Sequence, residues 1–382
     1  MTVYVIDPLQ DPRWNDLVDC HPLASVFHTT AWLSALRQTY GYRPMAVSTS
    51  PPDHDLEDAV PFCEVRSWLT GRRLVSVPFA DHCDPMVEHT GAWSAIVAHL
   101  DRLQRTEGWK YVELRPRSLG DTPLTSESAH YWLHALDLRS SLETLFAALH
   151  KDSTKRKIQR ANREGLSCVE GRSESLLRTF YALLVKTRHR HHVPPQPLQW
   201  FQNLASCFGD ALRVAVAFHG TRPVASVLTL RHRDTTVYKY GASDERYHPL
   251  GGMHLLLWKT IEMARAAGCT VLDLGRCDRD NPGLATFKER WGASRSDIRY
   301  RRFGPTARPA GKLRTVAAQG ARQVLDHAPV ACRVAAGRFL YRHGSQRRDQ
   351  YHQLDHRADA ARQLRSRHRQ RLVYLEHQRR SL

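Results

Sequence analysis

The feature that most constrains this chain is an order of elements that occurs twice. In the first occurrence, β-type stretches at residues 44–49, 59–65 and 74–79 lead into a polar loop (ADHCDP). A helical pattern over 92–106 and a short strand at 111–114 follow. In the second, strands at 212–218, 224–230 and 236–240 lead into GASDERYHPLGG, a helical pattern over 253–267 and a strand at 270–274. The spacing agrees: 35 residues separate Ala80 from Arg115, and 34 separate Ala242 from Arg276. The final strands also read alike, GWKYVELRP against GCTVLDLGR. A β-β-β-loop-α-β block used twice predicts two packed units of one α/β (α+β) design.

The remaining segments fit around that repeat. Residues 3–7 alternate like a strand, and 24–40 carry Phe27, Trp32, Leu33 and Leu36 at helical spacing with Thr29 or Thr30 placed to cap. Residues 141–164 and 174–190 read as helices, the first amphipathic (LETLFAALH) and then strongly basic (KDSTKRKIQRANRE). A short helix at 285–291 and a strand at 297–303 close the second unit. The expected divisions are 1–139, 140–304 and a tail of 305–382. That tail carries 17 Lys and Arg against 5 Asp and Glu, a net +12 of the chain's +18. Its Ala/Val/Leu pattern, interrupted by Pro329, predicts two amphipathic helices over 305–343, with a solvated Gln/Arg/His-rich end beyond Gly344.

Composition excludes several classes. Apolar residues at 42% and charged residues at 25% suit a folded chain with a core. With mean hydropathy −0.50, no run approaches a membrane span. The first residues lack the basic and apolar regions of a signal peptide. Eight cysteines form no C-x-x-C pair, so neither a disulfide framework nor a zinc knuckle is expected, and a reduced cytoplasmic setting fits. The basicity lies mainly in the tail, and no DNA-binding motif accompanies it, so specific DNA binding is not expected.

Three sets of residues suit chemistry. The strand end LDLGRCD offers Asp273, Arg276 and Asp278; YKYGASD offers Tyr238, Lys239, Tyr240 and Ser243. Arg276 suits a two-pronged grip on phosphate or carboxylate, and Tyr240 suits donation to an oxyanion or a leaving thiolate. Alternation puts Tyr238 and Tyr240 on one face and Lys239 on the other. The competing reading makes Tyr240 a core aromatic and Asp273 an ion-pair partner of Arg276. In ERYHPLGGMHLLLW, Gly251 and Gly252 turn the chain into a helix whose first N–H groups favour an anion. By contrast His189, His191 and His192 have no carboxylate or cysteine at ligand spacing, so no metal is expected. Cys83 beside His82 is more simply a buried small hydrophobe than a nucleophile.

Several stretches resemble a known family in order and spacing. They include FHTTAWLSALRQTYGYRP, LVSVPFADHCDP, STKRKIQRANREG, RHHVPPQPLQWF, YKYGASD, HLLLWKTIEMA, LDLGRCDRDNPGLATFKERWGA and FLYRHG. Over about residues 26–304 the chain resembles the FemAB-type, BioF2-like branch of the GNAT acyltransferase superfamily. The resemblance implies two tandem GNAT-like units (the acyl-CoA N-acyltransferase fold) plus a basic helical tail. It implies that neighbouring strands splay around an acyl carbonyl. It also implies that Lys288 in NPGLATFKERWG faces the cleft, holding an acceptor phosphate or stabilising the oxyanion, with Phe287 fixing it. By the same likeness His248-x-x-Gly251-x-Met253, with Gly252, would hold the pyrophosphate of coenzyme A, although both ends depart from Q/R-x-x-G-x-G/A.

The expected activity is therefore acyl or aminoacyl transfer to an amine or hydroxyl of a cell-envelope precursor, such as a nucleotide- or lipid-linked sugar, or of a polysaccharide. Lys288, Tyr240 and Arg276 would be catalytic, with Phe287, Asp273, Asp278, Lys239 and Ser243 binding substrate. The stretch 189–209 is short and proline-containing, which disfavours the long arm expected with an aminoacyl-tRNA donor and favours an acyl thioester such as acyl-CoA. A second expectation is a non-catalytic glycan-binding scaffold of envelope assembly. The tail would either cover the second unit or lie on an anionic membrane surface.

Overall fold

In the computed structural model the repeat becomes two similar halves of one sheet. The structure describes residues 1–68, 71–118, 122, 124–304 and 330–343. The first half runs β1 (Tyr4–Ile6), α1 (Trp14–Cys20), α2 (Thr30–Tyr40), β2 (Arg43–Ser48), β3 (Val60–Ser67), β4 (Gly71–Val75), α3 (Thr90–Thr106) and β5 (Val112–Leu114). After β6 (Ser126–Asp137) come α4 (Leu142–Ala148), α5 (Arg156–Arg163), β7 (Ser167–Gly171), α6 (Glu174–Arg190) and α7 (Leu198–Phe208). The second half continues with β8 (Leu212–His219), β9 (Arg222–His232), β10 (Thr235–Ser243), α8 (Gly252–Ala266), β11 (Val271–Asp278), α9 (Pro282–Glu289) and β12 (Ser294–Phe303). A tail helix, α10, spans Val330–His343.

The twelve strands form one sheet in the order β1-β2-β3-β4-β5-β12-β6-β11-β10-β9-β8-β7. Neighbours are antiparallel except β4 with β5 and β10 with β11. Those parallel pairs are the ones bridged by α3 and α8, because a strand reached through a helix crossover returns in the same direction. The 111–114 and 270–274 strands thus occupy equivalent places, as the repeat predicts. The two halves also interlock. β12, from the end of the second half, pairs with β5 of the first, and β6 lies between β12 and β11.

Three large apolar clusters and a small one of Tyr131, Leu133, Ile298 and Tyr300 cover the sheet among the described residues. One joins the halves on a single face, packing α1 and α2 with α6 and α7 around Trp14, Trp32, Phe180 and Trp200. The other large ones lie under α8 and α9 in the second half and under α3 in the first. Thr29 caps α2, accepting from the Trp32 N–H at 3.3 Å, and Gly41 ends it at φ +70°. On α10, the Tyr341 hydroxyl donates to the Pro194 carbonyl at 3.2 Å, and the Tyr42 hydroxyl donates to the Tyr341 carbonyl at 2.5 Å.

Several expectations need correction. The helix expected over 141–164 breaks after Ala148: Leu149 is extended, a π-helical turn fills Lys151–Lys155, and α5 then starts. The break is tied down by the His150 N–H, which donates to the Arg290 carbonyl at 3.1 Å. The strand expected over 74–79 stops at Val75, since Val77 (φ 49°) and Phe79 (φ 61°) leave the extended region. Of the tail helices, the second corresponds to α10 and the first lies outside the described residues. Among the described residues no helix is long and apolar enough to cross a membrane.

Candidate active site

The two strands of the second parallel pair stay together only as far as Val237 and Asp273. Beyond that point both are irregular: β10 has a bulge between Tyr238 and Tyr240, and β11 has one between Asp273 and Arg276, where Gly275 adopts φ +68°. A bulge adds a residue and re-aims those around it. The bulge in β10 corrects the alternation expected for this strand. Tyr238 joins the cluster under α8, whereas Tyr240 joins the cluster on the opposite face.

The gap is filled by polar side chains. Lys288, on α9, is fully buried, and its ammonium donates to the Gly275 carbonyl at 2.8 Å and the Arg276 carbonyl at 3.1 Å. Burial pulls it down to about 8 from an ordinary 10.5, against the opposing effect of Asp81 and Asp273. Arg276 donates to the Tyr300 hydroxyl at 2.8 Å, lies 3.5 Å from Asp81, and sits over the Tyr131 ring. Lys239 donates to Asp81 at 2.9 Å and to the Phe79 carbonyl at 2.7 Å. Asp273 accepts from the Gly275 N–H at 2.6 Å and from His82 Nε2 at 2.9 Å. Burial alone would raise the Asp273 carboxyl, but the His82 hydrogen bond and its neighbours outweigh it and hold it below the usual range.

Three of these partners, Phe79, Asp81 and His82, come from one loop of the other unit. Residues 76–84, read from sequence as the end of a strand and then a polar loop, leave β4 and enter the gap between β10 and β11, bringing Asp81 and His82. Arg115 supports the loop by donating to the carbonyls of Val77 (3.3 Å) and Ala80 (3.1 Å). The local sequence gives no sign of this long-range insertion; the available signal was an Asp-His-x-Asp cluster standing directly after a strand.

The other expected residues are placed as follows. Tyr240 is a core aromatic. Its hydroxyl accepts from Trp200 Nε1 at 2.8 Å and Gln196 Nε2 at 3.2 Å, away from Lys288. Phe287 is buried beside Lys288, edge-on to His254. Asp278 is partly exposed at the turn into α9. Ser243 is buried, and its hydroxyl hydrogen-bonds His248 Nε2 at 2.9 Å. Gly251 caps α8 at φ +81°, and a Cβ there would lie 2.4 Å from the Lys157 carbonyl of α5. Gly252 is closed over by Val224, and Met253 meets the Tyr238 hydroxyl. With α5 packed against it in this way, the loop as folded does not fit a pyrophosphate, and the case for an acyl-CoA donor rests on the fold. The Cys83 thiol is buried, which pushes it up and away from thiolate. Among the described residues no group of three metal-binding side chains occurs.

Residues 150–289, which hold the gap, Lys288 and the loop into α8, match the family model described as acetyltransferase (GNAT) domain. That stretch is similar to GNAT acetyltransferases. Over 96 residues the chain is 27% identical to UDP-N-acetylmuramoylpentapeptide-lysine N(6)-alanyltransferase of Weissella viridescens, covering 25% of this chain and 29% of that enzyme's length. The fold of FemX superposes with a TM-score of 0.61 at 12% identity, covering 86% of this chain and all of FemX. A tandem GNAT protein from the clavulanic acid biosynthesis pathway superposes at 0.50 and 13% identity, covering 80% of this chain and all of that one. The matched stretch, residues 150–289, leaves out the 76–84 loop, so the first half contributes to the gap from outside it.

Proposed function

We propose that the protein is an acyl- or aminoacyltransferase acting on an amine or hydroxyl of a cell-envelope precursor, by direct attack in a ternary complex. The observation that carries this reading is the Lys288 ammonium, held on two strand carbonyls where β10 and β11 part inside the GNAT-like stretch. A cation fixed in a dry site stabilises negative charge far better than one in water, and needs no reorganisation when an oxyanion forms. Arg276 and Lys239 supply further positive charge beside it, suited to the phosphates of a nucleotide- or lipid-linked acceptor. The resemblance to the Weissella alanyltransferase supports a muramoyl-peptide acceptor. For the donor, the GNAT fold and the short α7 favour an acyl thioester over aminoacyl-tRNA.

Lys288 has no exposed surface, so substrate entry requires the 76–84 loop to part from β10 and β11. That same closure favours the second reading, a non-catalytic glycan-binding scaffold whose charges serve only each other. The basic tail, 305–382, would hold either protein near an anionic membrane. Transfer from acetyl-CoA or alanyl-tRNA to UDP-N-acetylmuramoyl-pentapeptide separates the two. Under the transferase reading, Lys288→Ala lowers the rate by about 10²–10³ with the fold intact. Lys288→Arg does not restore it, since a planar guanidinium replaces a point charge poorly in a closed site. Wild-type turnover in Lys288→Ala, or no transfer by wild type to a panel of muramoyl and lipid-linked acceptors, contradicts it.

A further inference from the structure

His82 stands on the first half's loop yet meets the second half's kinked strand. Its Nε2 lies 2.9 Å from Asp273 Oδ2. Because the Asp273 carboxyl is held ionised and can only accept, Nε2 donates this bond. Nδ1 is buried, has no hydrogen-bond partner among the described residues, and lies 3.7 Å from Asp84 Oδ2. Asp84 is itself pinned by two 2.7 Å bonds from Arg117, and the His82 ring is edge-on to Phe27 at 5.4 Å. The ring is therefore fixed on the first-half side and donates across the junction.

From His82 the contacts run directly to the ammonium. Asp273 takes the Gly275 N–H at 2.6 Å, and Lys288 donates to the carbonyl of that same Gly275 at 2.8 Å. We propose that His82 is a positioning residue for the transfer: its bond to Asp273 fixes the Gly275 kink, and the kink fixes Lys288. This rests on the transfer chemistry assigned to Lys288 above, but the coupling from His82 to Lys288 can be read without any substrate. Two further observations support a built-in role. Val77 and Phe79 hold left-handed backbone conformations that non-glycine residues, above all a β-branched one, adopt only under constraint. Those constraints come from both halves, through Arg115 on the Val77 carbonyl and Lys239 on the Phe79 carbonyl.

The charged and titratable groups acting on Lys288 are Asp273, Arg276 and Cys277 of β11, Asp81 of the loop, and His134 of β6. Loss of the His82 bond leaves the Asp273 anion free to turn toward Lys288 and loosens the seal against water. Both effects favour the charged ammonium. The test uses the full-length protein labelled with 13Cε-lysine. The chain has nine lysines, few enough to resolve, and the Lys288 signal is assigned by its loss in Lys288→Gln. In wild type it titrates near 8. In His82→Leu the midpoint rises by about one pH unit, whereas in His82→Gln, whose amide still donates to Asp273, it stays with wild type. Transfer follows the same order: His82→Leu loses kcat by about 10- to 100-fold at unchanged KM, and His82→Gln recovers most of it. An unmoved Lys288 midpoint in His82→Leu, or a glutamine variant as defective as the leucine one, overturns the proposal. A moved midpoint in a protein whose wild type transfers nothing supports the coupling and overturns the transferase reading.

Discussion

At β4–β5 and at β10–β11 the repeat sets equivalent residues in the same register, and the two pairs then diverge. Val75 faces Glu113 in the first, and Val237 faces Asp273 in the second. Arg115 follows its acid by two positions and Arg276 by three, the extra residue being Gly275. Both guanidiniums approach the ring of Tyr300, at 5.1 and 5.2 Å. In the first half Arg115 folds back onto Glu113 at 3.1 Å, and Arg302 joins the same carboxylate at 2.5 Å. In the second, the inserted glycine kinks the strand. Asp273 turns to His82, Arg276 reaches Asp81, and the carbonyls of the kink hold Lys288. Both pairs draw on the other half: in the first, Arg302 of β12 and Arg115 close on one carboxylate, and in the second, the loop's Asp81 and His82 meet charges gathered at the kink beside Lys288.

That comparison can be broken on the first side by stability. Glu113 is buried, and its two arginines hold it below the usual carboxylate range against the cost of burial. Glu113→Gln strands both guanidiniums and should cost about 3–5 kcal/mol in chemical unfolding. A loss under about 1 kcal/mol would mean the cluster is not the structural element it is taken for.

The second side is sharpened by pH. Lys288 is held near 8, below its ordinary 10.5, so the folded state bears a penalty for charging it. The sign follows from linkage. Below pH 8 the penalty is fully present. Between 8 and 10.5 the unfolded chain binds more protons than the folded one, so stability rises with pH. Relative to Lys288→Met, which does not titrate, wild type should gain roughly 3 kcal/mol across that window. A flat difference would place Lys288 in water.

Much of the fold was legible because it rests on local pattern. The repeat, the N-terminal cap of α2 and the 174–190 helix need only the residues within them. The strand β6 was not legible. In its YWLHAL stretch the side chains are covered on both faces, so polar and apolar residues do not alternate. Helix α7 follows the two prolines Pro194 and Pro195, which punctuate the sequence but do not exclude a helix beyond them. At the candidate site, Lys288 was singled out through resemblance. Lys239, Asp273 and Arg276 were singled out as polar residues at strand ends. Tyr240 was misplaced because a bulge, invisible in the pattern, reverses its face. His82 and Asp81 were passed over because their partners, Asp273 and Lys239, are 191 and 158 residues away.

The central claim is that equivalent acids serve different ends, and transfer rates of two isosteric variants test it most directly. Asp273→Asn should keep the folded state and lose transfer by about tenfold or more, since an amide cannot hold His82 and the Gly275 N–H as the carboxylate does. Glu113→Gln, assayed on its folded fraction, should turn over near the wild-type rate. Equal losses in both variants, or full activity in Asp273→Asn, would contradict the account.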